Sequence, residues 1–250
     1  MLIAEDLLLL SVDDETGKTA GVDNLGVRLA GALMADLAAA NRTLVKGGPE
    51  AGATKEERKQ ALDAYVRVTN NDPTGHPALD AALQAVLATE GKAQAVVEAI
   101  SKDAEENLLA GLAERGILEK KESKLFAMLP ITRWPAADSA HETALRATLR
   151  SVLVDGAEPD ERTATLISLL HGSGLIGGLV GKENRKAAED RAEEIAGSEY
   201  GFATVATQVA IAATVATVAV VGAGVAAALI LAASKDAEAA AAPAEPAPTA

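Results

Sequence analysis

Three histidines, His76, His141 and His171, are the side chains of this sequence best suited to moving protons or holding a metal. They are far apart, form no i, i+4 pair, and have no acidic cluster beside them at metal-ligand spacing. His171 falls on an apolar helix face and reads as a core or helix-end residue. Asp13, Asp14 and Glu15 are consecutive acids in a turn rather than a pair positioned for acid–base work, so they read as solvated. Gly172, Gly174 and Gly177 match G-x-G-x-x-G, but the match follows a helical pattern instead of a strand, which removes the geometry a dinucleotide needs. No nucleophile elbow, P-loop or kinase motif occurs, and the absence of cysteine excludes a thiol nucleophile, a disulfide scaffold and a cysteine zinc site. The expectation is a chain without catalytic residues, metal or cofactor.

The side chains that stand out are suited to surfaces. Leu125, Phe126, Met128 and Leu129 fall on the second arm of a hairpin expected over Ile117–Lys120 and Lys124–Met128, turning at Glu122 and Ser123. Trp134, the single tryptophan, follows Arg133 just beyond it. An indole next to a guanidinium suits a membrane interface or a partner pocket, with an apolar body and polar edges. The structural alternative is that the hairpin packs on its own core and Trp134 staples a linker.

The elements that must position these residues are mostly helical. Ile3 to Val12 is an apolar run interrupted by Glu5 and Asp6 and closed by a polar turn. Leu25, Leu29, Leu33 and Leu37 recur at helical spacing, and Gly26 and Gly31 would admit a close neighbour. Thr43–Lys46 and Tyr65–Val68 read as short strands flanking a polar loop rich in glycine. A turn at 70–75 precedes a helix carrying Leu79, Leu83 and Val86, and one further helix is expected from Ala93 to Arg115, stopped by Gly116. Ser139 and Glu142 have the spacing of a capping box, Pro159 opens another helix that ends near Gly172, and Lys182–Glu194 reads as a charged helix face.

The bulk composition narrows the partners. The chain has 250 residues, 49% of them hydrophobic but only 2% aromatic, so alanine, leucine and valine must fill one large core. A formal charge of -13 argues against a protein that coats nucleic acid. A mean hydropathy of +0.14 is high for a chain that is 24% charged, so one segment must be unusually apolar. Between Glu199 and Lys235 no side chain but Tyr200 ionises, which is longer than the roughly 20 residues that cross a bilayer. The run is rich in Ala and Val, its Ala and Thr gain little in lipid, Gly222 and Gly224 weaken its richest window and it lacks a tryptophan belt, which favours a buried central helix over a membrane span or an oligomer interface. The N-terminus lacks the basic stretch of a signal peptide, and residues 234–250, rich in Ala, Pro and Glu, are expected to be disordered.

The motifs in their order resemble the Golgi phosphoprotein 3 family, which includes a yeast vacuolar sorting protein and is widespread in actinobacteria. The similar stretches are LIAEDLLLLSVDDETGK at 2–18, DPTGHPALDAAL at 72–83, LAERGILEKKESKLFAM at 112–128 and ERTATLISLLHGSGLI at 161–176. The resemblance implies a mainly α, single helical domain over 1–233, with short β-hairpins around the C-terminal apolar helix. It also implies a cytoplasmic, non-catalytic adaptor, peripheral on a membrane, that binds phosphatidylinositol 4-phosphate, with a hairpin that inserts into membrane, self-associates or docks a protein. The family's headgroup pocket, carried over, falls near Gly21, Ala30, Lys102 and Glu105; Lys102 keeps its charge and Arg28 lies half a turn from Ala30. The expected lipid-binding residues are therefore Arg28, Lys102, Arg133 and Trp134. The alternative is a soluble helical interaction module without the lipid pocket.

Overall fold

Seven successive residues, Ile3–Leu9, form helix α1, and every one of them is buried. A helix covered on all sides needs neighbours on all sides. α1 has them in α2 (Leu25–Ala39), α5 (Ala104–Glu114), α6 (Ala140–Leu153) and α7 (Glu161–Leu170). The computed structural model describes residues 1–13, 16–19, 25–46, 65–125, 129–171 and 173–197, with backbone alone at 45–46, 123–125, 129–131 and 197. The apolar run from Glu199 to Lys235 and the tail at 234–250 lie outside the described residues.

α2 ends as its sequence suggests, with Asn41 in the left-handed region at φ 54°. Strands β1 (Thr43–Lys46) and β2 (Tyr65–Val68) pair antiparallel, Thr43 opposite Val68. Helix α3 (Pro77–Ala88) starts with proline, whose missing N–H costs nothing at that position. Its first turn is locked by Thr74, which donates both its N–H and its hydroxyl to Asp80 at 2.7 Å and holds that carboxyl below the usual range.

The single helix expected from Ala93 to Arg115 is two, α4 (Ala93–Ser101) and α5, broken at Lys102 and Asp103. The apolar series Val97, Ile100, Ala104, Leu108 and Leu112 passes through the break without changing phase, and all five are buried. Periodicity alone therefore reads one helix. α4 lies against α2, where a Cβ on Gly26 would meet the carbonyl of Ser101 at 2.6 Å.

The second hairpin also differs from expectation. Its strands are β3 (Lys121–Leu125) and β4 (Leu129–Arg133), with Leu125 opposite Leu129 and Lys121 opposite Arg133. Glu122 and Ser123 lie inside β3, because a two-stranded ribbon leaves polar residues wet within a strand as easily as in a turn. Pro130 is tolerated in a two-stranded ribbon, where both strands are edges. Phe126 and Met128 lie outside the described residues.

The expected capping box at α6 does not form. The Ser139 side chain makes no cap bond, Asp138 accepts from the Ala140 N–H at 2.9 Å, and Glu142 turns inward to Arg146. α7 is capped by Asp160, which accepts from the Thr163 N–H at 2.7 Å. Helices α8 (Ile176–Val180) and α9 (Arg185–Gly197) complete the set; α9 buries Ala188, Ala192 and Ile195 and turns its charges outward. The described part is thus mainly α, with nine helices and two small antiparallel hairpins. No described helix is long and apolar enough to cross a membrane.

Candidate functional site

Lys102 lies in the break between α4 and α5, just before α5 begins. Along α5, Glu106, Leu109 and Ala113 follow at spacings of three and four on one side, with Glu105 and Glu114 beside them. Across from them stand Lys120, Thr132 and Trp134, and the two walls enclose an open groove of about 630 Å³.

The opposite wall is fixed by local backbone chemistry. The Trp134 N–H donates to the carbonyl of Gly17 at 3.0 Å. Gly17 has φ 61°, and a Cβ there would collide with the Trp134 backbone nitrogen, so only glycine lets the turn after α1 approach so closely. The Glu119 N–H donates to the Pro135 carbonyl at 2.9 Å, and Leu118 bridges to Ala136, which pins the hairpin base on the other side. Trp134 itself is half-buried against the core. The Lys120 ammonium sits 5.9 Å from the centre of its ring and 2.8 Å from Glu122, whose carboxylate raises the lysine pKa as the lysine lowers that of Glu122.

The groove carries charges of both signs, three glutamates against two lysines. Lys102, Glu105, Glu106 and Glu114 make no ion pair among the described residues.

A second cluster surrounds α1. Glu5, fully buried, accepts from the Leu2 N–H at 2.8 Å, from Arg115, and shares a hydrogen bond of 3.0 Å with His76 Nε2. Asp6, 2% exposed, is paired with Arg162 and lies 2.7 Å from His141 Nε2. Asp36 accepts from the N–H groups of Ile3 and Ala4 at 2.9 and 3.0 Å, which caps α1 from a neighbouring helix. Burial lifts the Asp36 pKa from 3.8 to about 6, against the opposing pull of those two N–H groups. These carboxylates are consumed by structural partners, and no cluster of three metal-ligating side chains occurs among the described residues.

The family model for Golgi phosphoprotein 3 (GPP34) matches residues 3–228. The chain belongs to the Golgi phosphoprotein 3 family. Of the four residues proposed from sequence for a headgroup in this family member, the structure brings two together, Lys102 and Trp134, on facing walls of the groove. Arg133 adjoins Trp134 at the end of β4, half-buried, but does not line the groove. Arg28, 7% exposed within α2, does not line the groove. In the hairpin, Leu125 and Leu129 are partners in the backbone register. Sequence reading missed the acid–histidine pairs, because His76 and His141 meet Glu5 and Asp6 only across 71 and 135 residues. It also missed Glu106, Glu114 and Lys120; the helical spacing of Glu106, Leu109 and Ala113 was the available signal for the helix wall.

Proposed function

We propose that this member of the Golgi phosphoprotein 3 family is a non-catalytic adaptor, peripheral on a membrane, that meets a lipid headgroup in the groove between α5 and the β3–β4 hairpin. The observation that supports this reading is the pairing of Lys102 and Trp134 in one open groove. A lysine supplies a mobile point charge for a phosphate, and an indole suits the boundary between water and lipid. Family membership suggests phosphatidylinositol 4-phosphate as the headgroup and the cytoplasmic face as the place. Glu105, which lines the same groove as Lys102, weakens the match to a phosphomonoester, which would be repelled there. Co-sedimentation with phosphatidylcholine vesicles, alone or carrying phosphatidylethanolamine or phosphatidylinositol 4-phosphate, tests the membrane role. Sedimentation lost on Lys102→Ala supports it, and a chain left in the supernatant with every vesicle overturns it.

The second reading is a helical protein-interaction module that keeps the fold without the lipid pocket. Burial of Arg28 and the acidic excess of the groove favour it. A partner captured by the protein and released by Phe126→Ser, with no vesicle binding, would select this reading.

A further inference from the structure

The two walls of the groove meet at an apex. There Leu118, just past the end of α5, bridges to Ala136, and the Glu119 N–H donates to the Pro135 carbonyl at 2.9 Å. On either side of the apex, the N-terminal segment takes hold of one wall. Glu5 accepts from Arg115, the residue that caps the C-terminal end of α5, and the same guanidinium reaches the Met1 sulfur at 3.6 Å. Further along that segment, the Gly17 carbonyl accepts from the Trp134 N–H at 3.0 Å.

Neither hold has freedom to slide. The Glu5 side chain is fully buried and is also fixed by the Leu2 N–H at 2.8 Å and by His76 Nε2 at 3.0 Å. A Cβ on Gly17, whose φ is 61°, would stand 2.4 Å from the Trp134 nitrogen, so this contact admits only glycine. Arg115 and Lys102 lie at opposite ends of α5, whose 11 residues span about 16 Å. The helix is therefore a lever, and a small tilt at its Arg115 end moves its Lys102 end furthest. We infer that Glu5, Arg115 and Gly17 are positioning residues of the groove: through them the N-terminal segment braces both walls and sets the distance between α5 and Trp134. Asp6, beside Glu5, supplies a contrast, because its partner Arg162 stands on α7, which lines no part of the groove. The consequence for a ligand rests on the membrane role proposed above, whereas the brace is measurable without one.

Trp134, the single tryptophan, reads the groove directly. Its emission maximum and its quenching by acrylamide are compared in the full-length protein, without vesicles, for Arg115→Ala, Arg115→Lys and Arg162→Ala. The two arginines are matched, at 39% and 42% side-chain exposure over buried carboxylates, so a loss of stability alone affects both variants alike. The expected result is a red shift with stronger quenching in Arg115→Ala, wild-type values in Arg162→Ala and recovery in Arg115→Lys. A cooperative urea transition checks that each variant is folded, and Glu5→Gln, which leaves no charge buried without a partner, takes the place of Arg115→Ala if that variant is not. On vesicles carrying phosphatidylinositol 4-phosphate, the braceless variant should bind about fivefold more weakly or worse, the lower end of ordinary coupling between sites, while Arg162→Ala binds as the wild type does. Equal changes in Arg115→Ala and Arg162→Ala overturn the inference, and so does a Trp134 signal that neither Arg115→Ala nor Glu5→Gln alters. A wild type that binds no vesicle removes the membrane role and leaves the brace to be judged on quenching alone.

Discussion

At the residue scale, the most constrained groups are the three carboxylates around α1. Arg115 and Arg162 are each more than a third exposed, whereas Glu5 and Asp6 are at most 3% exposed in their side chains. Removing either arginine leaves a buried carboxylate whose remaining side-chain partner is a histidine. Arg115→Ala and Arg162→Ala are each expected to lower stability by about 3 kcal/mol in urea unfolding, while Lys186→Ala, at a pair exposed on both sides, leaves the midpoint unchanged. Asp36 has a separate signature. Its folded pKa of about 6 exceeds the starting value of 3.8, so the folded state holds a proton that the unfolded state has released between these values. The stability gained from that proton is complete below the lower value and is lost as pH rises through about 6. The urea midpoint of the wild type should therefore gain, relative to Asp36→Asn, as pH falls through that window. Asp36→Ala removes both acceptors from the first turn of α1 and should cost about 2 kcal/mol at neutral pH.

At the scale of elements, close approach is set by Gly26 and Gly17. Gly26→Ala should push α4 away from α2, costing about 1–3 kcal/mol, and by moving the α4–α5 junction it should weaken vesicle binding through Lys102. Thermal unfolding and vesicle titration of this variant measure the two effects separately. The elements with purely local signals were legible in the sequence: α2 through its leucine spacing, β1 and β2 through alternation, and α3 through its proline and preceding turn. The break at Lys102 was hidden because the apolar phase continues across it, and the β3–β4 register was hidden because polar residues are indifferent between a turn and an exposed ribbon. Half of the proposed headgroup residues line one groove, the exposed Lys102 and the half-buried Trp134, because both sit at the ends of elements with local signals. Arg28 did not join them, since its burial depends on how α2 packs, which its own neighbours in sequence do not reveal.

At the scale of the molecule, the fold explains how an acidic chain poor in aromatics can still present one amphipathic surface. Alanine and leucine close the core, two hairpins lie at its margin, and the single tryptophan stands at the base of the second hairpin with charges of both signs around it. Net repulsion from anionic bilayers should make added salt improve binding to phosphatidylglycerol vesicles and leave ethanolamine vesicles little affected, as read by co-sedimentation. Since Trp134 is both the only tryptophan and a wall of the groove, its emission reports on the site without a label. Titrating the full-length protein with vesicles carrying phosphatidylinositol 4-phosphate while following that emission tests the membrane role of the groove most directly. The expected result is a saturable blue shift that Lys102→Ala weakens and phosphatidylcholine alone does not produce; an emission spectrum unchanged by every vesicle would contradict it.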